Sequence, residues 1–288
     1  MAARPRTLPA AIAPVLVGTA AAVEASEELR VGALVAALIG SVFIQVGTNL
    51  ANDYSDAKRG ADTVDRLGPV RVTAAGLVTP RRVLVATWVA FGVAVAAGIY
   101  LAAVAGLVIL AVGAVSILAG VLYTGGPRPY GYEGLGEPFV FLFFGLVAVN
   151  GSYYVQLERL DWLPFALSVP VGFLATAILV VNNVRDIDTD RRAGKETLAV
   201  RLGRPRARRL YAALVTGTYV ALLIALPATG GPAWGLLALL SLPLAPQALR
   251  RVATRTDGPA LNAALARTGA LLAAFSLLLA GGLLLALA

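Results

Sequence analysis

Read for hydrophobic pattern alone, the chain is a succession of long apolar runs interrupted by short polar ones. Taking roughly 20 apolar residues per membrane crossing, the pattern predicts helices over 8–25, 31–52, 82–102, 105–123, 138–155, 162–184, 207–226, 233–248 and 266–286. The junction at 102–105 is the tightest, so the third and fourth helices are the pair most open to a different cut. No polar stretch of soluble-domain length remains between these runs. The expectation is therefore an all-α, multi-pass membrane bundle of nine transmembrane helices forming a single domain over 1–288, with lipid as its solvent.

Charge tests that division independently, because Lys and Arg gather on the cytoplasmic side of membrane proteins. With the N-terminus inside, all of the 24 Lys and Arg except Arg30 and Arg159 fall on cytoplasmic segments. Nine crossings, N-terminus cytoplasmic and C-terminus outside, follow as the expected topology, with Tyr153, Tyr154 and Trp162 in an outer aromatic belt. Arg4 and Arg6 precede the first apolar run without a small-residue cleavage site, so that run reads as a retained helix. The net charge of +8 and pI of 10.2 are then explained by topology. Without basic–aromatic interleaving, no nucleic-acid partner is expected, and the expected location is the cell membrane.

Composition narrows the chemistry. The chain has neither Cys nor His, which removes thiol nucleophiles, disulfides and most zinc sites. A metal here must be one that prefers oxygen. Two polar clusters supply such donors, each at the cytoplasmic end of a predicted helix. The first, NLANDYSDAKRGAD, carries Asn49, Asn52, Asp53 and Asp56 and ends at Asp62. At helical spacing Asn49, Asp53 and Asp56 fall within an arc of about 60°. The second, NNVRDIDTDRRAGKET, carries Asn182, Asp186 and Asp190 within about 80°, while Asp188 points away.

Each cluster opens with an Asn four residues before its first Asp, and the clusters lie four helices apart. That arrangement resembles a pseudo-repeat with its site at the interface between equivalent helices. Mg²⁺ suits the donors, since it takes a few carboxylates and completes its octahedron with substrate phosphate oxygens. The basic residues Lys58, Arg59, Arg66, Arg71, Arg185 and Lys195 are placed to bind the remaining phosphate oxygens. Helix capping and loop solvation account for single acids such as Asp62 or Asp65 equally well. They account poorly for two Asn-x-x-x-Asp faces at a membrane boundary, where acids are costly.

At these residues the chain resembles the UbiA family of intramembrane prenyltransferases, whose Asp-rich motifs sit at the cytoplasmic ends of the second and sixth of nine helices. The resemblance implies that Asp53, Asp56, Asp186 and Asp190 hold Mg²⁺ and a diphosphate, with Asn49 assisting. Gly60 stands where many relatives carry a further Asp, and the next acid is Asp62. Four stretches look like the branch of the family acting on 1,4-dihydroxy-2-naphthoate: RPRTLPAAIAPVLVG from Arg4, GADTVDRLGPVRVTAAGLV from Gly60, YTGGPRPYGYEGLGE from Tyr123, and GKETLAVRLG from Gly194. The implied reaction moves a polyprenyl group from polyprenyl diphosphate to the carboxylate-bearing ring carbon, with loss of CO₂. The product is demethylmenaquinol, and the implied active site faces the cytoplasm.

For that chemistry Lys195 joins the four Asp as a candidate catalytic group. Arg6, Arg71, Arg128 and Lys195 are candidates for the acceptor carboxylate or phosphate, with Asn49, Asn182, Arg59, Arg66, Arg185 and Tyr123 as further substrate contacts. Tyr54, Tyr123, Phe139 and Phe143 are candidates for shielding an allylic cation, a pattern that ordinary packing aromatics share. Gly145, Gly151 and Gly172 either widen a groove for the donor tail or allow close helix packing. Two rival readings remain: another aromatic acceptor within the same family, or, in a different class, a membrane transporter built on a repeat.

Overall fold

The computed structural model describes residues 4–60, 67–68 and 71–287. Among them there is no strand. In chain order the helices are α1 (Pro9–Ser26), α2 (Val31–Lys58), α3 (Pro80–Ala105), α4 (Val108–Leu122), α5 (Gly136–Leu157), α6 (Trp162–Arg192) and α7 (Leu198–Thr229). A 3-10 segment, Ala233–Leu244, then leads into α8 (Ala245–Thr254) and α9 (Gly258–Leu285).

Seven of the helical stretches among the described residues are long and apolar enough to cross a membrane: α1 with its preceding turn, α2, α3, α5, α6, α7 and α9. The other two predicted spans differ from that pattern for physical reasons. α4 has 15 residues, about 22 Å at 1.5 Å per residue. The eighth predicted span is a twelve-residue 3-10 helix, which at about 2.0 Å per residue covers roughly 24 Å where an α-helix would cover about 18 Å. There Pro243 withholds an N–H, and Gly235 is pressed by Gly282 of α9.

α6 and α1 form the buried centre. α6 packs on α7 and α5, α1 packs on α5 and α9, and α2 pairs with α3 at the side. α4 rests on α2 and α3 but not appreciably on α5. The α5–α6 crossing is close because both sides lack a side chain: a Cβ on Gly145 would come within 2.8 Å of the Gly172 Cα. These two glycines therefore serve packing, whereas Gly151 faces open space and borders the cavity described below. α5 also carries a seven-residue π-helical stretch, Phe141–Val147, whose wider turn brings Phe143, Phe144 and Val147 to that cavity.

The two arginines off the main charge pattern lie at matching helix ends. Arg30, before α2, pairs with Glu158, after α5, at 2.8 Å. Arg159 follows directly in sequence.

Candidate active site

A cavity of about 330 Å³ opens between α1, α2, α3, α4, α5 and α6. Asn49, Asp56, Arg71, Asp186, Asp190 and Lys195 border its polar end, and the rest of the lining is mostly apolar, with Ser41, Gln45, Ser116 and Ser152 among it. α2 and α6 thus face each other across a hollow rather than by packing. Four polar residues in the last turns of α2, namely Asn49, Asn52, Asp53 and Asp56, are all buried, an arrangement that needs partners for every one of them.

Asp56, 1% exposed, accepts Arg71 Nη2 at 2.7 Å, the Tyr132 hydroxyl at 2.6 Å and Lys195 Nζ at 3.1 Å. The Lys195 backbone N–H donates to the Asp190 carbonyl at 2.8 Å. One residue therefore ties the two sequence clusters together. Asp53 does something different. Its oxygens accept the backbone N–H groups of Val72 and Thr73, each at 3.1 Å, capping the turn that begins at Arg71. The cap delivers the Arg71 guanidinium to Asp56, and Asp53 itself does not border the cavity.

On α6, Arg185 is fully buried and grips Asp186 through two hydrogen bonds of 2.8 and 2.6 Å. The same guanidinium donates to Asn182 and Asn262, both at 2.7 Å. Arg185 is thus a support beneath the cavity floor, while Asn182 and Asp186 border the cavity. Asp188, set aside by helical spacing, is exposed and pairs with Arg204 at 2.8 Å. Asn183, the neighbour of Asn182, instead donates to Glu137 at 2.9 Å and fastens α6 to the start of α5.

Besides Arg185, four basic residues named from the sequence lie away from the cavity wall, and of these Lys58 is exposed at the end of α2. Arg6 is exposed, because the turn Pro5–Thr7 carries it outward and brings Arg4 to the cavity. Arg128 is exposed, and Arg59 reaches the Gly126 carbonyl with its guanidinium 5.7 Å from the Tyr132 ring. Arg66, Asp62 and Asp65 lie outside the described residues.

An aromatic file runs from the polar end along the wall: Tyr123 edge-on to Tyr130, Tyr130 stacked on Phe139 at 4.0 Å, and Phe139 leading to Phe143 at 6.1 Å. Burial raises the Tyr130 phenol above its ordinary pKa, keeping that ring neutral. Tyr54 does not border the cavity. Sequence reading missed Arg4, Tyr130 and Tyr132. The last two sit in the quoted stretch YTGGPRPYGYEGLGE, which was a signal for the loop but not for either side chain.

The donor set fits a hard divalent cation: only carboxylate and amide oxygens, and no nitrogen or sulfur ligand, converge at the polar end. Among the described residues no three acids stand close enough to form a ready cage. Asp56 and Asp186 are instead balanced by Arg71, Lys195 and Arg185.

The model of the UbiA prenyltransferase family matches residues 11–270. The chain belongs to the UbiA prenyltransferase family. Among similar UbiA relatives, the 1,4-dihydroxy-2-naphthoate octaprenyltransferase of Mycobacterium leprae (strain TN) is 44% identical over 284 residues, covering 99% of this chain and 95% of that protein. The protein of the same name from Escherichia coli (strain K12) is 42% identical, covering 93% of this chain and 90% of its own length. In fold, the chain matches the apo structure of a UbiA homolog from Aeropyrum pernix K1 with a TM-score of 0.72 at 14% identity, over 96% of this chain and 98% of that one. A UbiA homolog from Archaeoglobus fulgidus bound to GPP and Mg²⁺ matches with a TM-score of 0.63 at 16% identity, over 96% and 97%. This protein is thus a multi-pass membrane prenyltransferase of UbiA fold.

Proposed function

We propose that the protein transfers a polyprenyl group from polyprenyl diphosphate to 1,4-dihydroxy-2-naphthoate with loss of CO₂, yielding demethylmenaquinol. The observation that carries the reading is a single cavity whose polar end joins both Asp clusters to Arg71 and Lys195 while most of the remaining lining is apolar and aromatic. Near-full-length relatives bearing that activity in their names support the choice of acceptor.

Asn49, Asp56, Asp186 and Asp190 would hold Mg²⁺, with Asp53 contributing through the turn it caps and Asn182 through its hold on Arg185. Bound there, Mg²⁺ supplies charge stabilisation for the departing diphosphate. Arg71 and Lys195 bind the diphosphate oxygens that carry the developing charge. Tyr123, Tyr130, Phe139 and Phe143 exclude water and present ring faces to the allylic cation left behind. Arg4 borders the same hollow and is placed to receive the acceptor carboxylate. The hydroxyl proton of the acceptor passes to released diphosphate or to a carboxylate.

The donor tail is too long for a closed hollow of this size. It leaves through the seam between α4 and α5, which both border the cavity without packing firmly on each other. Nine crossings, with the N-terminus and the polar end of the cavity cytoplasmic and the C-terminus outside, fit the distribution of Lys and Arg. The deciding experiment incubates purified protein in lipid nanodiscs with 1,4-dihydroxy-2-naphthoate, a polyprenyl diphosphate and Mg²⁺. Demethylmenaquinol that disappears with EDTA supports the proposal; prenylation of 4-hydroxybenzoate at equal or greater efficiency would overturn the acceptor assignment.

A further inference from the structure

Tyr132 belongs to neither Asp cluster, yet three parts of the site meet on it. Its hydroxyl donates to Asp56 Oδ1 at 2.6 Å. Lys195 Nζ stands 4.7 Å from the centre of its ring, and the Arg59 guanidinium lies 5.7 Å from it. Its backbone carbonyl accepts the Glu196 N–H at 2.9 Å. The α4–α5 loop, the end of α2 and the segment after α6 are thereby joined through one residue.

We propose that Tyr132 is a positioning residue that holds the Asp56 carboxylate and the Lys195 ammonium in one fixed relation, so that the two polar clusters bind metal and diphosphate as a single unit. The inference rests on the reading above that this cavity takes Mg²⁺ and a prenyl diphosphate. An Asp carboxylate rotates easily about its terminal torsion, which is broad rather than staggered. Here Arg71 fixes Oδ2 and Tyr132 fixes Oδ1, leaving the plane of the group defined on both sides. Lys195 has a flexible stem with three rotatable donors, and a ring face within the cation–π limit of about 6 Å narrows where its ammonium stands.

The loop that presents Tyr132 is itself fixed. The Gly131 N–H donates to the Tyr123 carbonyl at 3.0 Å, and a Cβ on Gly131 would come within 2.6 Å of that oxygen, so the chain passes too closely for any side chain. Leu135 N–H closes the turn onto the Tyr130 carbonyl at 3.2 Å. A tyrosine present only for packing has no need of its hydroxyl. This one is half-buried with the hydroxyl on a buried carboxylate.

The test compares full-length wild type, Tyr132→Phe and Tyr132→Ala in nanodiscs. Mn²⁺ binding is followed by electron paramagnetic resonance with and without a short prenyl diphosphate, alongside thermal unfolding and steady-state kinetics. A hydrogen bond to a charged group predicts that Tyr132→Phe weakens diphosphate-dependent Mn²⁺ binding on the order of tenfold or more. The metal concentration for half-maximal turnover should rise by the same factor, with only a modest fall in melting temperature from the lost hydrogen bond. Tyr132→Ala, which also removes the ring beside Lys195, should lose a further few-fold. Wild-type Mn²⁺ affinity in Tyr132→Phe, or a loss confined to melting temperature, would overturn the proposal while leaving the functional reading intact. Wild-type protein that binds no Mn²⁺ in the presence of the prenyl diphosphate would instead bring down the reading beneath it.

Discussion

Replacing Lys195 by Met separates the charge of this residue from its bulk. The side chain is 8% exposed and its ammonium lies 3.1 Å from Asp56, so the substitution keeps a stem of similar size and deletes one buried cation. Stripping a buried carboxylate of its only partner costs about 3–5 kcal/mol. That figure is a ceiling, because Asp56 retains Arg71 at 2.7 Å and the Tyr132 hydroxyl at 2.6 Å. What disappears is one charge-assisted contact, worth about 1.5–3 kcal/mol to the diphosphate it would bind. At 1.36 kcal/mol per factor of ten, kcat/KM for polyprenyl diphosphate should fall roughly 10- to 150-fold. The assay is steady-state turnover in nanodiscs at saturating Mg²⁺ and naphthoate, with Lys195→Arg recovering part of the loss because the charge is restored. Unchanged kcat/KM for the diphosphate would refute the reasoning. A rise confined to the KM for the naphthoate, measured by varying naphthoate at saturating diphosphate, would refute it too, assigning the ammonium to the acceptor.

Gly145→Leu should destabilise the protein by about 1–3 kcal/mol through overpacking, since its Cβ would already meet Gly172 Cα at 2.8 Å and the Ser168 carbonyl at 2.9 Å; thermal unfolding reads this directly. Gly151→Leu faces open space on the cavity wall and should leave melting unchanged while lowering turnover of long donors more than short ones. Asp257 caps α9 by accepting the Ala260 N–H at 3.1 Å, and the hydrogen bond from Arg255 holds its carboxyl below the ordinary 3.8. A lowered folded value means the cap's contribution is present above pH 3.8 and lost as the pH falls through the lower value. Asp257→Asn should remove that acid dependence from hydrogen exchange at the start of α9. Because the chain has no Cys, single cysteines report topology cleanly: Glu158→Cys should react with an impermeant thiol reagent in intact cells, and Arg206→Cys only after permeabilisation.

The sequence by itself determined the membrane class, the all-helical fold and the position of both Asp clusters. Each of these depends on local rules: apolar length matched to lipid, charge bias along the chain, and helical spacing. Even the exclusion of Asp188 from the cavity was readable, because its angle on α6 differs from that of Asp186 by geometry alone.

Tertiary structure decided what the helical arc could not. Asp53 and Asp56 share a face by spacing, yet one caps the turn starting at Arg71 and the other meets Arg71, Lys195 and Tyr132. The difference comes from where the following loop folds back, across 15 residues to Arg71 and 76 to Tyr132. Arg6 and Arg4 are two residues apart and only Arg6 was singled out from the sequence, yet the turn at Pro5–Thr7 leaves Arg6 exposed and Arg4 at the cavity wall. Likewise, the apolar pattern of 233–248 specifies a span but not the 3-10 winding that lengthens it. Contacts between elements distant in sequence carry no local periodicity, so their partners emerge only when the helices have packed.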